Sequence, residues 1–146
     1  MSARGGFGAL LLAFVALPVA AQNLDVIKAR RESLKAMGKA TKDPAAMLKG
    51  EADFDLSKVQ AALRTYMNEA PGLARMFPDD SKTGGDTEAL PAIWDNKSDV
   101  EGRYLKLAAD AKAATATITD EVSFLEEFPK IAAQCAGCHK LFRVKK

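Results

Sequence analysis

Apolar side chains recur every three or four residues along four stretches of the chain, which is the spacing of amphipathic helices. The first predicted helix covers about 24–41, with Ile27, Leu34 and Met37 on or near one face. We expect Asp43-Pro44 to interrupt or kink this helix, because proline lacks a backbone N–H and clashes with the preceding turn. A further helical turn is expected directly after the proline.

Two more helices are predicted in the middle of the chain. One covers about 55–69, begins with an aspartate that suits an N-cap, and ends at Pro71. The other begins with a capping box formed by Ser98 and Glu101 and fades near Thr115. Each carries an apolar stripe at helical spacing, so each is expected to bury one face.

The last predicted helix covers about 120–143 and has the most regular stripe. Pro129 predicts a kink or short break near residues 125–128. The apolar or motif-bearing positions alternate at spacings of three and four residues: Leu125, Phe128, Ala132, Cys135, His139 and Phe142.

The connections between these helices define the expected fold. The first and second helices are closely linked, as are the third and fourth, whereas residues 71–96 form a long connection rich in proline, glycine and aspartate. A loop of this length in a compact domain is often functional. We therefore predict an all-α protein, an antiparallel four-helix bundle.

The first 21 residues differ from the rest. Arg4 precedes an apolar or small run at 7–17, and small residues follow up to Ala21. This pattern predicts a secretory signal peptide, 1–21, and a mature domain, 22–146. A membrane anchor is the alternative, but the run is shorter than the ~20 apolar residues that span a bilayer.

The charge of the mature chain excludes one class of partner. Its 125 residues carry 20 Lys and Arg against 19 Asp and Glu. Nucleic-acid-binding domains usually have a strong basic excess, so we expect no nucleic-acid partner. After removal of the signal peptide, no membrane association is expected either.

Residues 135–139 form a C-x-x-C-H motif, the attachment signature of c-type haem. On a helix, residues three and four apart share a face. Cys135 and Cys138 are therefore placed to form thioethers with the two vinyl groups, and His139 to bind the iron. The motif predicts one covalently attached haem c in the core of the bundle.

Three other uses of the motif were weighed. A thioredoxin-like C-x-x-C lies at the start of a helix that follows a strand, and the chain has no strand pattern. A structural zinc site needs four ligands, whereas the chain has two cysteines and one histidine. A disulfide leaves the histidine unexplained. With one histidine in the chain, the sixth iron position is left to methionine, another group, a small molecule or none.

The whole mature chain resembles the class II cytochromes c, the cytochrome c-prime family. The resemblance is carried by the C-terminal C-x-x-C-H followed by Phe142 and Arg143, and by segments 30–38, 48–52 and 84–94. Low-spin members of the family have an iron-binding methionine four residues after the first-helix arginine, where this chain has Leu34. The resemblance therefore implies a five-coordinate haem with Leu34 in the distal pocket.

Met37 is the alternative sixth ligand, since it lies one turn after Leu34; ordinary core packing is its other explanation. The resemblance also implies that Arg30 meets a haem propionate and that Arg143 lies on the proximal side near the histidine. Either arginine is otherwise a solvated charge. Trp94 is expected against the haem edge or, alternatively, as an apolar anchor for the long loop.

The expected function is that of a periplasmic haem protein that transfers electrons, binds NO or CO, or does both. A low-spin, methionine-ligated electron carrier of the same family is the alternative. A haem peroxidase is a weaker one, because peroxidases need a distal acid–base group and a leucine supplies none. We therefore expect no enzyme activity. A redox partner protein is implied without being identified, and homodimerisation is implied by the resemblance.

Overall fold

The computed structural model describes residues 22–145, and the predicted signal peptide lies outside them. In this part of the chain no helix is long and apolar enough to cross a membrane. The helices are α1 (Leu24–Leu48), α2 (Leu56–Leu73), α3 (Ala92–Asp95), α4 (Lys97–Thr117) and α5 (Glu121–Phe142), with a 3₁₀ turn at Asp79–Ser81. The prediction of a four-helix bundle is confirmed, with α1, α2, α4 and α5 as its members.

Two helix starts follow the predicted capping chemistry. The Asp55 carboxylate accepts hydrogen bonds from the backbone N–H groups of Ser57 and Lys58 at the start of α2. At the start of α5, Asp120 accepts from the N–H of Ser123, whose hydroxyl accepts in return from the Asp120 N–H. Both aspartates satisfy N–H groups that have no partner inside the helix.

The capping box predicted at the third helix is wrong. Helix α4 begins one residue earlier, at Lys97, so Ser98 and Glu101 lie inside it. Asn96 occupies the N-cap without capping through its side chain, because its amide donates to the Ala92 carbonyl and closes the preceding helix α3 instead.

The prolines do not break their helices where the sequence predicted. Pro44 lies inside α1, Pro71 inside α2 and Pro129 inside α5, and each helix continues beyond its proline. The predicted interruption of α1, the end of α2 at Glu69 and the break in α5 are therefore wrong. Pro44 is almost fully buried, so packing of its ring offsets the lost hydrogen bond.

The buried face of α5 is rotated relative to the predicted stripe. Leu125 is 50% exposed, whereas the neighbouring Phe124 is 1% exposed and packs with Phe128 and Ile131. A step of one residue turns a side chain by about 100°, so a strict seven-residue repeat is only an approximate guide to the face that a 3.6-residue helix buries.

Packing between the helices leaves one side of the bundle open. Helix α2 packs against α1 and α4, and α4 packs against α5, whereas the α1 and α5 backbones have little direct contact. The main apolar cluster lies between α1, α2, α4 and α5 and includes Leu63, Tyr66, Leu107 and Phe128. A smaller one, around Phe77, Ile93, Val100 and Phe142, lies where the long loop meets α4 and α5.

Candidate functional site

A cavity of about 770 Å³ lies in the gap between α1 and α5, with α4 as its third wall. Of the residues singled out from the sequence, it brings together Arg30, Leu34, Met37, Cys135, Cys138, His139 and Arg143. These positions are separated by roughly a hundred residues in sequence. Only the packing of the first helix across from the last places them around one volume.

The α5 wall carries the C-x-x-C-H motif on a single helical turn. The thiols of Cys135 and Cys138 are free and half-buried, and both face the cavity. Burial raises the pKa of both thiols, and the Arg103 guanidinium partly opposes this for Cys138. Two neutral thiols one turn apart in an apolar cavity are arranged to be joined to one planar group.

His139 lies beside the second cysteine on the same wall. Burial lowers the pKa of its imidazole, the nearby Arg143 lowers it further, and Glu88 acts in the opposite direction. A lowered pKa favours the neutral imidazole, which is the form that binds a metal ion.

The α1 wall faces the motif with Leu34 and Met37. Leu34 is 37% exposed and projects into open space, whereas Met37 is 6% exposed and belongs to the main apolar cluster. Leucine has no lone pair to offer a metal ion. Met37 also lines the cavity, so the choice between these two residues stays a prediction.

Arg30 is buried, 2% exposed, and its guanidinium binds the long loop. One terminal nitrogen donates to the Met76 carbonyl at 2.9 Å and the Ser81 hydroxyl at 3.2 Å. The other donates to the Ser81 carbonyl at 3.2 Å and the Thr87 hydroxyl at 2.9 Å. Its carbon also lies 4.8 Å from the centre of the Phe77 ring. The sequence did not reveal this loop contact, and a propionate contact stays a prediction.

Arg143 is tied to the other end of the same loop. Its Nε donates to a carboxylate oxygen of Glu88 at 2.8 Å. The backbone continues this contact, since the Leu90 N–H donates to the Phe142 carbonyl and the Val144 N–H to the Glu88 carbonyl. Sequence reasoning missed Glu88. An acidic residue in a long loop carries no signal of pairing with a base 55 residues away.

Trp94 is not part of the cavity wall. Its indole N–H donates to the Pro78 carbonyl at 3.0 Å, and its ring meets the edge of Phe77 with centroids 5.9 Å apart. This geometry matches the loop anchor that the sequence left open, and a contact with a haem edge stays a prediction.

The charges around the cavity are strongly unequal. The described residues that line it include one carboxylate, Glu88, and seven cations: Arg30, Arg31, Lys35, Arg103, Lys106, Lys130 and Arg143. Haem is a planar apolar group with two carboxylates at one edge. The thiol pair, the imidazole, the apolar walls and this basic rim fit that chemistry. Cys135 and Cys138 would hold the macrocycle and His139 the iron.

The bundle and its cysteine–histidine wall define a c-type haem cytochrome. A family model described as Cytochrome C' matches residues 25–143. The cytochrome c' of Rhodopseudomonas palustris is 49% identical over 122 residues, which cover 84% of each chain. A cytochrome c-556 of Agrobacterium fabrum is 35% identical, over 82% of each chain.

The fold agrees with this. A solved structure of cytochrome c' from Rhodopseudomonas palustris superimposes with a TM-score of 0.81 at 49% identity, over 84% of this chain and 98% of that one. The chain belongs to the cytochrome c' family, whose members carry a covalently attached c-type haem. The predicted resemblance, fold class and cofactor are thereby confirmed.

Proposed function

We propose that this cytochrome binds NO or CO at a five-coordinate haem iron, and that it can also pass electrons through that iron. The observation that carries the proposal is the pairing of His139 on one wall with Leu34 on the opposing wall of the same cavity. One side of the cavity offers an imidazole and the other offers an alkyl group. When bound, haem supplies an iron that changes oxidation state by one electron and accepts a diatomic ligand.

The residues around the cavity divide the work. Cys135 and Cys138 fix the macrocycle by thioether bonds, and the neutral imidazole of His139 serves as the proximal ligand. Leu34 excludes water from the other face and leaves it without a hydrogen-bond donor. Such a face is expected to favour NO and CO over O₂, because bound O₂ gains more from a donor.

The family's two kinds of member differ at the iron, so Met37 keeps a rival proposal alive: a low-spin electron carrier. Burial of Met37 in the main apolar cluster supports the Leu34 assignment. For its sulfur to reach the iron, the side chain would have to leave packing contacts that stabilise the α1–α2 interface.

Absorption spectra of the reduced protein with and without CO test the proposal. We expect a high-spin spectrum that changes on addition of CO. A sharp low-spin α band with no response to CO contradicts it and supports Met37. A Met37→Leu variant is the control, and its spectrum should match that of the wild type.

We further propose a non-enzymatic protein, exported to the periplasm as a homodimer. Support comes from the N-terminal sequence pattern, the family, and the use of the chain's one histidine on the proximal side. Mass analysis of the exported protein should give an N-terminus at Gln22. Light scattering should give twice the chain mass, and peroxide turnover with a reducing dye should stay at the level of free haem.

A further inference from the structure

Tyr104 lies on α4 and forms part of the wall of the haem cavity. Its ring stacks on Phe77 with centroids 6.1 Å apart and planes 20° from parallel. It also packs against both apolar clusters of the bundle. These contacts hold the ring, and therefore its hydroxyl, in a fixed place.

The Tyr104 hydroxyl makes no hydrogen bond to any residue between 22 and 145. The chain's other tyrosine differs, because the Tyr66 hydroxyl lies 2.7 Å from the Thr41 hydroxyl and shares a hydrogen bond with it. Phenol groups inside proteins usually find such a partner. In the described chain no fully enclosed polar side-chain atom lacks one, so the Tyr104 oxygen must reach the cavity.

The chemistry of this hydroxyl is that of a donor. Burial raises the pKa of Tyr104 well above its ordinary value, and the nearby cysteines act in the same direction. The phenol is therefore protonated at neutral pH. Arg30 is close enough for its charge to act on the same hydroxyl. A protonated phenol near a buried guanidinium favours an anionic acceptor.

We propose that the Tyr104 hydroxyl donates a hydrogen bond to a propionate of the attached haem and is a positioning residue for that group. The propionates are the strong hydrogen-bond acceptors of haem, and they lie on the edge opposite the vinyl groups that the cysteines hold. The basic rim of the cavity favours carboxylates at this wall. This inference depends on haem attachment and is independent of which ligand occupies the distal side of the iron.

The hydrogen bond has an electrostatic consequence for the iron. Ionised propionates stabilise the ferric state, and a donor that withdraws charge from one of them weakens that effect. Removing the donor is therefore expected to lower the reduction potential.

The test compares haem-loaded Tyr104→Phe with Tyr66→Phe and the wild type. We expect Tyr104→Phe to lower the midpoint potential and to shift the propionate bending band in the resonance Raman spectrum. Tyr66→Phe removes a hydroxyl bonded within the protein, so it should change neither. Both variants should bind CO as the wild type does, which separates this test from that of the proposed function.

Three results would overturn the proposal. The first is an unchanged potential and propionate band in Tyr104→Phe. The second is an equal change in Tyr66→Phe, which would indicate a general loss of packing. The third is a shift of the C–O stretching frequency of the CO complex with an unchanged propionate band, since the hydroxyl would then face the iron ligand.

Discussion

Leu34 and Met37 show how much of the function depends on single side chains of α1. They lie one turn apart and both line the cavity, but Leu34 projects into it while Met37 is held by the core. Backbone position alone would permit either to face the iron. The difference in their burial is what favours an open iron.

Placing a methionine at the exposed position should close the distal side. In Leu34→Met, a thioether enters the cavity from the α1 wall, and we expect a sharp low-spin α band in the reduced spectrum. Competition by the sulfur should lower CO affinity at least about tenfold, or ~1.4 kcal/mol. Titration with CO measures this. Leu34→Ile is the matched control and should keep the high-spin spectrum; a low-spin Leu34→Ile protein would contradict the assignment.

Arg30 should be important for stability beyond any contact with haem. Arg30→Lys cannot reach four acceptors, and it leaves buried oxygens of the loop without partners. We expect the free energy of unfolding to fall by roughly 3 kcal/mol. Chemical unfolding of the haem-loaded protein measures this change.

The control for Arg30 is the next residue. Arg31 is an exposed arginine that bonds the Gly85 carbonyl and pairs with Asp86 in the same loop. Arg31→Lys should cost less than about 1 kcal/mol. Equal losses in the two variants would show that burial of Arg30 is not the cause.

At the scale of the helix, α5 begins at a cap whose charge matters. Hydrogen bonds from the Ser123 N–H and hydroxyl hold the pKa of Asp120 below its ordinary value in the folded protein. A carboxylate with a lowered folded-state pKa contributes stability above its unfolded pKa. That contribution is lost as the pH falls through the folded value.

Asp120→Asn should therefore flatten the acid side of the stability profile. Asparagine still caps the helix but does not titrate. Between about pH 5 and pH 3, the variant should lose less stability than the wild type, while the two differ little at neutral pH. Thermal unfolding across this range measures the difference. A parallel acid limb in both proteins would contradict the assignment, and Glu126→Gln, an exposed site on α5, is the control.

The helices were largely predictable because their signals are local. Asp55 and Asp120 were recognisable as helix starts, and the C-x-x-C-H motif identified the cofactor. The proline positions were not. Whether Pro44 breaks α1 depends on the packing that its ring gains when buried, and that packing involves other helices.

At the scale of the molecule, the cavity makes the fold depend on haem. The α1 and α5 backbones have little direct contact, so the group between them supplies core that the chain lacks. A ligand that binds only the folded state stabilises that state.

Cys135→Ala/Cys138→Ala should consequently lack covalent haem in a pyridine haemochrome assay and melt at a clearly lower temperature than the wild type. Wild-type chain produced without haem attachment is the control and should melt like the double variant. If both haem-free proteins melted like the loaded one, haem would not be part of the core.

The sequence by itself determined the helical class, the attachment motif and the use of the chain's one histidine, because each is written in neighbouring residues. Only the tertiary structure decided that Arg30 binds the loop, that Glu88 pairs with Arg143, and that Tyr104 faces the cavity with a free hydroxyl. These depend on which helix faces meet. A rotation of about 100° between adjacent residues, as at Phe124 and Leu125, separates buried from exposed, and local periodicity does not resolve it.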